Sequence, residues 1–384
     1  MADAYWLDTE PAVSLPEPSR GRVDVAIIGA GVTGCSAALT LARAGSRVRV
    51  HDLRDVAGGA SGRNGGFALR GVAARYDVAR DSYGADAARE LWRITNAYLD
   101  RLADAAGDAL RRPGSLRLAA DAEERDDIQH EYEALREDGF DAEWRDELPA
   151  PLAGRFHGAI YHPRDGTLQP ARFVRRLALA AADGGAEFAL GRRVDALDEL
   201  DADQVVVATD GSGRGLAREL DDALWPARGQ VVATAPIAER LFPCPHYGRQ
   251  GFDYWQQLDD GRIVAGGFRD TSLLEELTDE EVITQPIQSA LEAFLAELLD
   301  RPPEITHRWA GVFGLTQDLL PLVGRVPGRE GVWVAAGYSG HGNVLGYMCG
   351  DLVANALLGR PHAITELFDP ARLLTAPVVA ETER

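Results

Sequence analysis

The chain of 384 residues carries 60 acidic and 40 basic side chains, a formal charge of −20, which opposes nucleic acid or an anionic membrane as a partner. It contains no lysine, and that excludes P-loop nucleotide hydrolysis, pyridoxal aldimines and every lysine Schiff-base mechanism. The length suits two domains or one with a large insertion. No apolar run reaches the roughly 20 residues a bilayer span needs, and residues 1–20 are acidic and proline-containing, so the cytoplasm is the expected location.

The first predicted element is the apolar strand Val25-Ala26-Ile27-Ile28, which runs into Gly29-Ala30-Gly31-Val32-Thr33-Gly34 and then a helix rich in alanine and leucine that ends at Gly45. A second strand, 47–51, follows, and Asp52 stands at its end. This is the grammar of a dinucleotide-binding unit. Gly29 permits the tight turn, Gly31 admits a pyrophosphate, Gly34 allows close helix–strand packing, and Asp52 holds a ribose hydroxyl. The plainer reading is a tight βαβ turn without a ligand, which leaves Asp52 unexplained.

Next comes a second glycine-rich loop, Gly58-Gly59-Ala60-Ser61-Gly62-Arg63-Asn64-Gly65-Gly66, whose density of glycine implies close approach of a ligand to the backbone. Residues 85–104 and 121–137 read as helices of an inserted layer, with Leu91, Ile94, Tyr98 and Leu102 near three-to-four spacing. Tyr161–Gly166 reads as a turn, and Pro170 opens a helix that stops at Gly184-Gly185. The strand Val205-Val206-Val207 ends in the small-residue turn Ala208–Gly213, as at the carboxyl edge of a parallel sheet. Residues 226–269 alternate in an antiparallel pattern. Thr278-Asp279-Glu280-Glu281 has capping-box spacing and predicts a covering helix through Leu299, interrupted or restarted near Pro286. Last, Gly331–Ala336 repeats the strand, Gly337-Tyr338-Ser339-Gly340-His341-Gly342-Asn343 the turn, and 344–358 the helix. Three such turns suit an extended FAD better than a nicotinamide nucleotide. Cys35, Cys244 and Cys349 show no paired spacing, so neither a disulfide framework nor a metal site is expected.

The motifs 29–34, 61–66 and 337–342 together resemble the FAD-dependent oxidoreductases of the D-amino-acid oxidase and sarcosine oxidase superfamily, most of all the branch of γ-glutamylputrescine oxidases. The resemblance covers nearly the whole chain. It implies an α/β fold with a noncontiguous Rossmann-like FAD-binding domain, residues 1–77, 150–226 and 305–384, and a substrate domain built on an antiparallel sheet with covering helices, residues 78–149 and 227–304. The implied cofactor contacts are Gly29, Gly31, Val32, Thr33, Gly34, Asp52, Ala60, Ser61, Arg63, Asn64, Gly65, Gly66, Val194, Thr209, Gly211, Gly340, His341, Gly342, Asn343 and Val344. Val194 would lie near the adenine and the 61–66 loop near the isoalloxazine. The turn 340–342 would approach the flavin pyrimidine edge, where backbone N–H groups favour developing negative charge. The implied chemistry is hydride removal from the carbon beside an amine nitrogen to flavin N5, hydrolysis of the imine, and reoxidation by O2 to hydrogen peroxide. Arg63, Tyr254 and His341 are the expected catalytic residues, although Arg63 serves equally as a loop cap. Phe67, Arg70, Tyr254, Trp255 and Phe313 are the expected substrate contacts, with Tyr254 and Trp255 readable also as core aromatics.

Three departures bear on the substrate. Gly311 stands where sarcosine oxidases carry the cysteine that holds covalent flavin, so noncovalent FAD is expected. Val344 replaces their carboxylate-binding lysine, and Phe313 follows Trp309-Ala310-Gly311-Val312 where glycine-oxidase-like members carry an arginine; Arg70 is then the remaining carboxylate candidate. With no lysine above the flavin, Arg63, His341 or protonated product would supply positive charge for O2, or another acceptor would serve. The expected function is an amine oxidase, with a small amino-acid oxidase or dehydrogenase as the alternative and a flavin-binding subunit as a third. Oligomeric state is not readable.

Overall fold

Val23–Ile28 is aliphatic and buried at every position but Asp24, as a strand covered on both faces must be. It lies at the centre of a six-stranded sheet, flanked by Ala202–Val207 and Val48–His51. Val332–Ala336 and Leu322–Arg325 extend one side and Glu187–Ala189 the other, with only 322–325 antiparallel. The computed structural model describes residues 4–374; residues 1–3 and 375–384, which the expected division placed in the FAD-binding domain, lie outside them. Among the described residues no helix is long and apolar enough to cross a membrane.

Helices Val32–Arg43, Pro170–Asp183 and Gly342–Leu357 pack on this sheet. The first and last meet closely because Gly350 has no side chain: a Cβ there would lie 2.3 Å from the Thr33 carbonyl. Polar contacts fix the crossing. Ser36 donates to the Tyr347 carbonyl at 2.7 Å, and Thr40 and Tyr98 both donate to Asp351 at 2.6 Å.

The expected antiparallel region forms the middle of an eight-stranded sheet. Trp225–Thr234, Ile263–Gly267 and Asp253–Gln257 pair antiparallel, and Ile305–Leu315 pairs antiparallel along all of 225–234. His246–Gly248, Ser115–Leu118, Ala159–His162 and Glu143–Arg145 complete it. Tyr161 and His162 therefore end a strand, and the expected turn narrows to 163–165. A small third sheet holds Phe67–Ala68, Gly166–Leu168 and Leu110–Arg111.

Helix Gln285–Leu299 covers one face of the large sheet with Ile287, Leu291, Leu295 and Leu298, one helical stripe. It starts later than the capping-box spacing predicted. Thr278 bonds only the Glu280 N–H, at 3.2 Å, and Glu281 instead pairs with Arg54 at 2.7 Å. Pro286 sits in the first turn, where its missing N–H costs nothing.

Trp255 belongs to the core beneath that helix. It is 0% exposed, stacks on His246 with centroids 5.2 Å apart and meets Phe294 at 5.0 Å. Successive strand residues face opposite sides, so Trp255 cannot share a wall with Tyr254, and its expected substrate contact is corrected.

Burial pushes the His246 imidazole down to about 3, against the smaller opposing effect of the Cys244 backbone. Since the unfolded chain titrates near 6.5, it binds the extra proton between these values, and stability falls as pH drops through that window. His246→Phe is expected to lose less stability than wild type between pH 7 and 5, by at most about 2 kcal/mol. Urea denaturation at the two pH values measures it; parallel losses would contradict the buried neutral imidazole.

Candidate active site

The three glycine turns converge. Gly29 takes φ +112°, and a Cβ there would meet the Ala208 carbonyl at 2.5 Å, while one on Gly34 would lie 1.8 Å from the Gly29 carbonyl. Ser61 of the second loop reaches the first turn and accepts the Val32 N–H at 2.9 Å. Thr33 shares a 2.8 Å hydrogen bond with Tyr338 of the third. Asn64 and Asn343 exchange hydrogen bonds at 3.2 and 3.1 Å, and Asn343 also donates to the Phe67 carbonyl at 2.8 Å.

These contacts surround a cavity of about 670 Å³. Of the expected cofactor residues, Gly29, Gly31, Val32, Thr33, Asp52, Ala60, Ser61, Arg63, Asn64, Gly65, Val194, Thr209, Gly340, His341, Gly342 and Asn343 line it. Four do not. Gly34 lies under the turn, Gly66 packs on the Leu168 carbonyl, Gly211 packs on the Phe313 backbone, and Val344 is buried in its helix. Their smallness or burial supports the wall rather than forming it.

At one end lie Phe67, Tyr254 and Phe313. Phe67 and Tyr254 meet edge to face at 5.7 Å. The Tyr254 ring fits because Gly65 and Gly266 lack side chains: a Cβ on either would lie 2.7 or 2.4 Å from the phenol. Burial pushes this phenol up to about 12, so it remains a donor at neutral pH.

Arg70 is not in the wall. Its guanidinium donates to the Asp141 carbonyl at 2.5 Å and meets His162 at 3.1 Å inside the protein, which corrects the expected carboxylate contact. Arg63 lines the cavity, yet its Nε donates to the Gly58 carbonyl at 2.9 Å and lies 3.6 Å from Glu281; this is the loop-cap alternative. His341 is held down to about 4 by burial, with Arg117 adding to the effect, so it is neutral at pH 7 and does not supply the expected positive charge.

Two supports and three wall residues carry no clear local signal in the sequence. Trp6, on the short helix Tyr5–Asp8, donates to the Asn64 carbonyl at 2.7 Å. Asp210 accepts the Gly337 N–H at 2.7 Å and the Gly314 N–H at 2.8 Å. Arg269, Phe252 and Tyr247 also line the cavity. An arginine in an otherwise apolar alternating segment was the only available signal for Arg269.

FAD fits this arrangement. The cavity runs continuously past all three glycine turns, the start of helix Val32–Arg43 offers N–H groups beyond the one Ser61 takes, and Thr209 Oγ1 and His341 Nδ1 are buried without a partner among the described residues. No cysteine lines the cavity among the described residues, in keeping with noncovalent attachment.

Asp52 accepts the Ala30 N–H at 2.6 Å and the Arg54 N–H at 2.8 Å, leaving lone pairs toward the cavity. Asp52→Ala is expected to weaken FAD binding at least tenfold and to cost about 1–3 kcal/mol through the two orphaned N–H groups. Flavin fluorescence titration and thermal melting check both; full flavin retention at nanomolar FAD would contradict the ribose contact.

In sequence the chain is 29% identical over 372 residues to a probable oxidoreductase OrdL of Rhizobium meliloti (strain 1021), covering 89% of this chain and 85% of that protein. It is 28% identical over 399 residues to the gamma-glutamylputrescine oxidoreductase of Escherichia coli (strain K12), covering 93% and 90%. The crystal structure of glycine oxidase from Geobacillus kaustophilus superposes with a TM-score of 0.75 at 24% identity, covering 94% of this chain and all of that one, and shows the same fold. Residues 24–356 match the FAD dependent oxidoreductase family. With three interlocked glycine turns around one long cavity and a family match over most of its length, the chain belongs to the FAD dependent oxidoreductases, and FAD is its cofactor.

Proposed function

We propose that this protein is an FAD-dependent amine oxidase that converts an amine to an aldehyde or ketone and a smaller amine or ammonia, with O2 as the electron acceptor. The observation that carries the reading is the aromatic end of the cavity, Phe67, Tyr254 and Phe313, set beside the third glycine turn. Similarity to a gamma-glutamylputrescine oxidoreductase and to a glycine oxidase of Geobacillus kaustophilus supports amine substrates.

In this reading residues 1–77, 150–226 and 305–384 carry the cofactor, and 78–149 and 227–304 bind substrate. Val194 would hold the adenine, Asp52 the ribose, the 29–34 turn the pyrophosphate, and the 60–66 and 340–343 turns the flavin. When bound, FAD supplies the two-electron oxidation by accepting a hydride from the carbon beside the amine nitrogen. Phe67, Tyr254 and Phe313 exclude water and hold the substrate carbon in place. The N-terminus of helix Gly342–Leu357, with the 340–342 backbone, favours negative charge at its end. His341, held down to about 4, and Tyr254, pushed up to about 12, do not take up the amine proton. Asp253, pushed up to about 7 by burial, is paired with Arg249 at 3.0 Å and lies outside the cavity wall. The amine must therefore enter neutral, and turnover is expected to rise with pH toward the amine's own pKa.

Oxygen uptake with a panel of primary and secondary amines tests the acceptor. The expected result is one hydrogen peroxide per amine consumed. Turnover with an artificial dye but none with O2 would replace the oxidase by a dehydrogenase.

A further inference from the structure

Arg269 lines the aromatic end of the cavity. Its guanidinium carbon lies 4.8 Å from the Phe252 ring centroid and 5.9 Å from that of Phe313. It makes no hydrogen bond or ion pair with any described residue. The neighbouring carboxylates are all claimed by other arginines: Asp270 and Asp253 by Arg249, at 2.5 and 3.0 Å, and Glu276 by Arg228 at 2.8 Å. A half-buried cation so placed has lost part of its hydration while its nitrogens stay open to the cavity, a cost that an anionic ligand recovers. Burial lowers its pKa from the ordinary value, but an arginine stays charged at pH 7.

The backbone that presents it is strained. Phe268 takes φ +60°, unusual for a bulky residue, and sends its ring into the core against Phe294 at 5.4 Å while the next residue turns to the cavity. Across from it, Arg249 and Gln250 take φ +47° and +57°, held there by Glu124, whose carboxylate accepts both N–H groups at 3.2 and 2.7 Å. That loop sets Phe252 against the guanidinium. Strain of this kind is retained where surrounding structure enforces it, commonly at ligand clamps.

We propose that Arg269 is the anion anchor of the substrate pocket, so that the substrate is an amine bearing a carboxylate which the Arg269 guanidinium grips in its plane. This rests on the amine-oxidase reading and narrows it. Arg70 is enclosed elsewhere and position 313 is Phe, so the charge those positions lack is supplied from the edge of the large sheet. Phe252 and Phe313 flank the guanidinium, whose fork of donors suits a planar, two-point partner.

Calorimetry of the FAD-loaded protein with hexanoate and hexanamide tests the anchor without requiring turnover. Wild type is expected to bind hexanoate at least tenfold more tightly than hexanamide, and Arg269→Gln to abolish that preference while leaving hexanamide within twofold. Arg269→Lys should retain part of it. Equal binding of the two probes by wild type, or an unchanged preference in a folded, FAD-loaded Arg269→Gln, would overturn the proposal; the wild-type comparison stands even where the variant does not fold. In turnover, Arg269→Gln should raise KM at least tenfold for an amino carboxylate and leave that for its methyl ester within twofold. Failure of every amine to be oxidised would sink the amine-oxidase reading while the calorimetric preference still reports the anion site.

Discussion

Gly34→Ala is expected not to accumulate as a folded flavoprotein. The added Cβ would lie 1.8 Å from the Gly29 carbonyl oxygen and 3.0 Å from its carbon, and both are backbone atoms of a turn that already sits at φ +112° against the Ala208 carbonyl. Neither side can yield without parting helix Val32–Arg43 from strand Val23–Ile28. The cost should exceed about 3 kcal/mol, a large share of a typical total stability of about 5–15 kcal/mol. Gly59→Ala is the control: nothing lies within 4 Å of its Cβ, and its stability should stay within about 0.5 kcal/mol of wild type. Soluble yield, urea denaturation and bound FAD measure the pair. A Gly34→Ala protein that unfolds with wild type would contradict the close helix–strand packing.

Asp210→Ala should be nearly as damaging, by a different route. One carboxylate oxygen takes the Gly337 N–H and the other the Gly314 N–H, joining the end of strand Ala202–Val207 to the third glycine turn and to strand Ile305–Leu315. Alanine leaves both buried donors without partners, at about 1–3 kcal/mol each. The loosened 337–342 turn should also weaken FAD binding at least tenfold. Asp210→Asn keeps one acceptor but turns an NH2 toward the other donor, so an intermediate loss is expected. Thermal melting of the FAD-free protein separates the stability effect from the cofactor effect. Wild-type melting of Asp210→Ala would show that these hydrogen bonds do not support the turn.

The parts legible in the sequence were those encoded locally. Each glycine turn follows an aliphatic run, and the spacing of Gly29, Gly31 and Gly34 states the backbone geometry outright; all three turns meet as expected. Pro170 and Gly184 bound their helix because each acts on its own turn. What failed depended on partners far away in sequence. Tyr254 and Trp255 are equally aromatic, and only the placement of helix Gln285–Leu299 decides which face is core. Thr278-Asp279-Glu280-Glu281 has the residues of a helix cap, but Glu281 is drawn to Arg54 from more than two hundred positions earlier. Asp210 and Trp6 likewise act on partners outside their own segment of sequence, and among forty arginines no local pattern marks Arg269 as the one set beside Phe252 and Phe313 in the cavity. The basic residue favoured for carboxylate binding, Arg70, is instead absorbed by Asp141 and His162.

The most direct test of the central claim, that this cavity oxidises amines with bound FAD, is anaerobic titration of the yellow purified protein with amines, N-methyl amino acids and D-amino acids, followed by admission of air. An amine is expected to bleach the flavin absorbance, and air to restore it rapidly. A protein that holds FAD in this cavity yet is bleached by none of these compounds would contradict it.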